Sequence, residues 1–159
     1  MLSIKMTERV LFLCTHNSAR SQMAEGLLRS LSSGSVEAHS AGTEATEVRP
    51  LASQAMQEIG IDISAQTSKT LSRYIDDQFD AVITVCDSAN ESCPFFPHAE
   101  RRWHWSFPDP SQAQGTPEQK LAAYREVRDA LRGRIVSELL PELTRASSTR
   151  SPDIDEFDK

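Results

Sequence analysis

The chain has 159 residues, 38% of them hydrophobic and 25% charged, a composition that fits one globular domain around a single core. Its formal net charge of −6 excludes a broad nucleic-acid-binding surface, but not a small anion gripped by a local ring of donors. The longest apolar run near the start, Val10–Cys14, is far too short for a signal-peptide core or a membrane span, so a cytoplasmic protein with no membrane association is expected.

In chain order, Arg9–Leu13 reads as a buried strand ending at Cys14. Thr15–Arg20 is polar, and a helical pattern begins at Ser21, the expected N-cap, with Met23, Leu27, Leu28 and Leu31 on one face. Val36–Ser40 is a second strand, stopped by Ala41-Gly42. Pro50 opens a helix whose inward face is Leu51, Ala55, Met56 and Ile59, and Gly60 closes it. Leu71, Ile75 and Phe79 predict a further short helix. Phe79–Val85 is the best strand in the chain and again ends at a cysteine, Cys86. Arg101–Trp105 is a fourth strand leading into the loop Phe107–Gly115. Leu121, Tyr124, Val127, Leu131, Ile135 and Leu139 then mark one long amphipathic helix.

One domain over residues 8–143 is expected, followed by a polar, aperiodic and flexible tail over 144–159. Strands alternating with helices imply an α/β fold of three layers, a four-stranded parallel sheet with helices on both faces. Ligands of such folds sit beyond the carboxyl ends of the strands, where Cys14, Cys86 and Phe107–Gly115 all fall.

The stretch Cys14-Thr15-His16-Asn17-Ser18-Ala19-Arg20-Ser21 lies between a buried strand and a helix. A loop in that position turns successive backbone N–H groups inward as an anion nest, and the helix N-terminus adds partial positive charge. The same field favours the Cys14 thiolate, the form that attacks. Arg20 brings a planar fork suited to two oxygens of a tetrahedral anion, which Lys cannot match. Ser21 can donate to the sulfur, and Asn17 can pin the loop. The His16 ring reads as facing solvent at the loop rim. The plainer alternative makes Cys14 a strand-end core residue and Arg20 a surface residue. Three cysteines, Cys14, Cys86 and Cys93, are an odd number that a purely structural disulfide framework does not explain.

Cys14–Ser21, continued by Gln22-Met23-Ala24-Glu25-Gly26, closely resembles the active-site segment of arsenate reductases built on the low-molecular-weight protein tyrosine phosphatase fold. The resemblance extends over residues 9–140 and includes Ser40-Ala41-Gly42-Thr43 and Thr67-Ser68. It implies an oxyanion seat formed by Thr15, His16, Asn17, Ser18, Ala19, Arg20 and Ser21. It implies that Asp109, in Phe107-Pro108-Asp109-Pro110, is the general acid that protonates the leaving oxygen. Phosphotyrosine phosphatases place aromatic residues after that pair, whereas Ser111, Gln112 and Ala113 follow here, which points to a bare inorganic anion.

The resemblance further implies a relay for arsenic detoxification. Cys14 attacks arsenate, Cys86 displaces arsenite by attacking Cys14, and Cys93 passes the oxidation into a Cys86–Cys93 disulfide that thioredoxin or another thiol reductant opens. No cofactor and no metal are required. Zinc is the competing use of these cysteines with His98 and His104, but Cys86 and Cys93 lack the short paired spacing of common zinc sites. Some relatives bind potassium through positions matching Asn17, Glu25, Ser40 and Thr67. Lys69 stands where they carry an acidic residue, so its ammonium is expected to replace that cation. Ala19 replaces a loop cysteine common among relatives. Two other functions compete: a phosphatase acting on phosphotyrosine or another phosphoester, and a non-enzymatic anion-binding or redox-sensing module.

Overall fold

The computed structural model describes residues 7–87 and 91–149, with the last five by backbone alone. Strand β1 (Glu8–Cys14) is a continuous apolar run because both of its faces are covered, as in the centre of a parallel sheet. It is followed by α1 (Arg20–Leu31), β2 (Val36–Gly42), α2 (Pro50–Gln57), a 3₁₀ turn at Leu71–Tyr74, β3 (Phe79–Thr84) and β4 (Ala99–His104). A 3₁₀ turn at Pro110–Gln112 leads to α3 (Pro117–Arg134), a π turn at Ile135–Leu139 and α4 (Leu140–Thr149). All strand pairs are parallel, in the order β2-β1-β3-β4.

Alternate residues of β1 feed two cores. Val10 and Phe12 join Met23, Leu27 and Leu28 of α1, Ala55 and Met56 of α2, and Leu121, Val127 and Leu131 of α3. Leu11 and Leu13 face the other way, onto Tyr74, Phe79, Val82 and Phe96. The sheet is thus the middle of three layers, with the second face closed by the Leu71–Tyr74 turn and the segment bearing Phe96. The chain leaves β1 toward β2 and returns on its opposite side as β3, which makes the carboxyl end of β1 the topological switch point. Leu13 pairs with Thr84 and its carbonyl accepts from the Val85 amide at 2.8 Å, so Cys14 and Cys86 both fall at the carboxyl ends of neighbouring strands, in one core cluster.

Several local expectations shift. The helix α1 begins at Arg20 with Ala19, which has no polar side chain, at its N-cap; Ser21 falls inside the first turn, where its hydroxyl meets Cys14. In α2 the buried stripe is Ala52, Ala55 and Met56, while Ile59 is 39% exposed. The helix has ended before Ile59: Gly60, at φ +79°, closes it, with the Ile61 amide reaching the Met56 carbonyl and the Gly60 amide the Gln57 carbonyl. The Leu71 pattern yields a single 3₁₀ turn, with Tyr74 buried and Ile75 out. The long final helix widens into a π turn at Ile135–Leu139. Pro141 explains it, since it has no N–H for the Ser137 carbonyl and its ring needs room there. The backbone stays helical to Thr149, six residues into the segment expected as a tail; 150–159 lie outside the described residues.

Candidate active site

The loop after β1 is held from outside by its carbonyls. Thr15 O accepts from the Glu44 amide, Ser18 O from the Arg49 amide and Ala19 O from the Met23 amide, at 2.8–3.0 Å. His16 O accepts from the Ser68 hydroxyl and Asn17 O from the Gln22 side chain, both at 3.1 Å. In a planar trans peptide the next N–H lies opposite the carbonyl. The N–H groups of residues 16–20 therefore face the hollow of the loop, as an anion nest needs.

Asn17 takes the left-handed conformation at φ +50°, and its side chain locks it there. Its Oδ1 accepts from the Lys69 amide at 2.8 Å and from Gln22 Nε2 at 2.9 Å, while its Nδ2 donates to Ser21 Oγ at 2.8 Å. With its lone pair engaged by Asn17, the Ser21 hydroxyl is free to point its hydrogen at Cys14 Sγ, 2.8 Å away. The His16 ring is half exposed at the rim, with Nε2 3.7 Å from Glu44. Ser18 and Ala19 are buried within the loop wall.

Arg20 is 3% exposed. Burial opposes its charge, but Glu91, the Cys14 sulfur and Asp109 together raise its pKa further. Its fork is already filled: Nη1 and Nη2 donate to the two Glu91 carboxylate oxygens at 2.5 and 2.9 Å, and Nη1 also reaches the Phe107 carbonyl. Thr15 Oγ1 adds a 2.6 Å bond to Glu91, and the Asp87 amide one at 3.1 Å. Burial alone would raise the Glu91 carboxyl, yet these donors pull it down to about 2. Sequence reasoning missed Glu91. Its only local sign is a carboxylate between two cysteines, 71 residues from its arginine.

Asp109 splits its carboxylate between two duties. Oδ1 accepts from the Ser111 amide and hydroxyl at 3.0 and 2.8 Å, fixing the turn, while Oδ2 stands 3.7 Å from Arg20 Nη2. Thr15, His16, Asp87, Glu91, Pro108, Asp109 and Gln112 line a cleft of about 520 Å³ over the loop. Cys86 is buried, whereas Cys93 is partly exposed; all three cysteines are free thiols. Burial pushes the Cys86 thiol well up, reinforced by the neighbouring Cys93, Cys14 and Glu91. His98 packs edge-on against Phe96, and His104 bonds Thr84 at 2.6 Å.

Behind the loop, Ser40 donates to Glu25 at 2.5 Å, and the Lys69 ammonium lies 3.8 Å from the same carboxylate oxygen while donating to the Thr67 carbonyl. Burial lowers the Lys69 pKa and Glu25 opposes that. A protein cation therefore stands among the oxygens of Glu25, Ser40 and Thr67, and the Lys69 backbone secures Asn17.

The model of the low molecular weight phosphotyrosine protein phosphatase family matches residues 9–149. An arsenate reductase of Halalkalibacterium halodurans is 47% identical over 131 residues, covering 82% of this chain and 94% of that protein. The solved structure of an arsenate reductase in its phosphate-binding state superposes with a TM-score of 0.66 at 32% identity, covering 91% of this chain and 99% of that one. The thioredoxin-dependent arsenate reductase of Corynebacterium glutamicum gives a TM-score of 0.63 at 29% identity, covering 89% of this chain and 62% of that one. The chain therefore belongs to the low molecular weight phosphotyrosine protein phosphatase family, where it stands with the arsenate reductases.

Proposed function

We propose that this chain reduces arsenate to arsenite with Cys14 as nucleophile, Cys86 and Cys93 as the disulfide relay and thioredoxin as reductant, in the cytoplasm. One observation carries the reading: Cys14 and Cys86 are buried in one core cluster, and Cys93, partly exposed, packs against it, all three as free thiols. A hydrolase has no use for such a chain of thiols, because water releases its product. The oxyanion sits in the loop, held by backbone N–H groups and by the Arg20 fork. The Cys14 thiolate bonds to arsenic as Asp109 protonates the departing oxygen. Cys86 then attacks Cys14 Sγ. The sulfur–arsenic bond breaks, its electron pair stays on arsenic, and arsenite leaves a Cys14–Cys86 disulfide. Cys93 attacks Cys86 and returns Cys14 as a thiolate, and a dithiol partner reduces the Cys86–Cys93 bond. Among the described residues, no helix is long and apolar enough to cross a membrane.

The test is turnover of arsenate by reduced protein with thioredoxin, its reductase and NADPH. The parent is expected to release many equivalents of arsenite. Cys93→Ser is expected to release one and then stall, with mass analysis finding a Cys14–Cys86 bond. Aryl phosphate hydrolysis by the same variant should be largely unaffected. Sustained turnover by Cys93→Ser would remove Cys93 from the mechanism.

A further inference from the structure

We propose that Glu91 is an internal competitor of the substrate: its carboxylate occupies the Arg20 fork of the oxyanion seat and must vacate it before a doubly charged tetrahedral anion can bind. The inference rests on reading Cys14–Arg20 as that seat. Glu91 takes both N–H groups of the Arg20 fork and the Thr15 hydroxyl at the rim of the loop, and is tied back to its own segment by the Asp87 amide. Both Arg20 N–H groups reach it in the side-by-side manner that a phosphate or arsenate would demand. Arg20 is buried and has one fork, so the two anions are mutually exclusive there.

The placement has a second effect. Glu91 lies five residues after Cys86 and two before Cys93, and its own amide donates to the Asp87 carbonyl at 2.9 Å while its carboxylate accepts from the Asp87 amide. When an oxyanion takes the fork, the Asp87 amide loses its acceptor and the relay cysteines lose their tether to Arg20. Substrate entry and release of the relay become one event. With the seat unfilled by substrate, Glu91 neutralises Arg20 and covers the cleft over the loop.

The experiment measures binding of inorganic phosphate to the reduced full-length chain by calorimetry, since phosphate occupies the seat without consuming thiols. If the seat is open about one-tenth of the time, apparent affinity is lowered about tenfold. Glu91→Gln is therefore expected to bind phosphate about tenfold more tightly than the parent or better. Glu91→Asp keeps the charge but shortens the reach, and is expected to fall between the two. Equal affinities for parent and Glu91→Gln would overturn the proposal. So would Glu91→Asp matching the parent while Glu91→Gln binds tightly, because the effect would then be one of distant charge. Phosphate binding to neither parent nor Glu91→Gln would remove the seat itself, and the competitor with it.

Discussion

Gly42→Ala is the sharpest probe of how the loop is held. Gly42 ends β2 opposite Cys14, and a Cβ there would stand 2.7 Å from Thr15 O, 2.8 Å from Asn17 N and 3.0 Å from Cys14 O. Ordinary contact begins at 3.4 Å, so the loop backbone must retreat by about 0.7 Å. None of these atoms is the free end of a side chain, so the retreat moves the anion nest itself. Overpacking of this kind costs about 1–3 kcal/mol. For a chain of this length that lowers Tm by about 3–10 °C. A misplacement near 1 Å costs about 10²-fold in rate, so kcat/KM for arsenate is expected to fall about 30–100-fold. Gly26→Ala is the control: its Cβ meets Ile63 Cγ2 at 2.6 Å and Met56 Cε at 3.3 Å, side-chain ends remote from the loop. The helix gains about 0.5–1 kcal/mol from the exchange, which offsets part of that clash. Its kcat/KM is expected to stay within about twofold of the parent, since the reacting geometry is not displaced. Thermal melts and steady-state kinetics on both variants decide the matter. A Gly42→Ala protein with parental kcat/KM would refute the claim that close backbone approach sets the loop.

Cys14→Ser should abolish both arsenate reduction and aryl phosphate hydrolysis, because a hydroxyl stays protonated near neutral pH; residual turnover of either substrate would displace Cys14 as nucleophile. Arg20→Lys keeps the charge but loses the fork, and a loss of about 10²–10³-fold in kcat/KM with an unchanged circular dichroism spectrum is expected. Near-parental kinetics would put Arg20 outside the anion site. Stability should fall as pH rises above about 9. Burial and its thiol neighbours raise Cys86 from its ordinary 9.0, and burial raises Tyr74 and Tyr124 from 10.0, so the folded state holds these protons longer. Their contribution is complete below those ordinary values and is lost as pH climbs through the folded ones. Urea midpoints at pH 8 and 10.5 test this: the parent should lose more than Cys86→Ala, and equal losses would refute the assignment.

The centre of the sheet was legible because β1 and β3 are short apolar runs, each leading to a cysteine, whereas β2 and β4 mix polar and apolar residues. The loop was legible because its chemistry is local: Cys14, Asn17, Arg20 and Ser21 lie within one strand-to-helix turn, and that context, with the resemblance of the whole segment, marked a spacing that is weak alone. What stayed hidden depends on distant partners. Ser21 has the composition of a cap, and only its 2.8 Å contact with Cys14 reveals that its hydroxyl serves the sulfur. Ile59 fits the period of α2, but the Gly60 turn removes it from the face. The π turn stayed hidden because Leu131, Ile135, Leu139 and Leu143 are spaced four apart, a spacing that falls between the periods of an α-helix and a π turn and so keeps one face through both. Glu91 was invisible for the simplest reason, that no periodicity marks a carboxylate whose arginine lies on another element.

Three thiols cannot all be paired. In the proposed cycle, once Cys86 and Cys93 share a bond, the sulfur left over is Cys14, which lies 2.8 Å from Ser21 Oγ when all three thiols are free. The oxidised protein therefore keeps an intact nucleophile while lacking electrons to give. Such a form should still capture a phosphoryl group and return it to water, so that redox state would choose between two chemistries in one pocket.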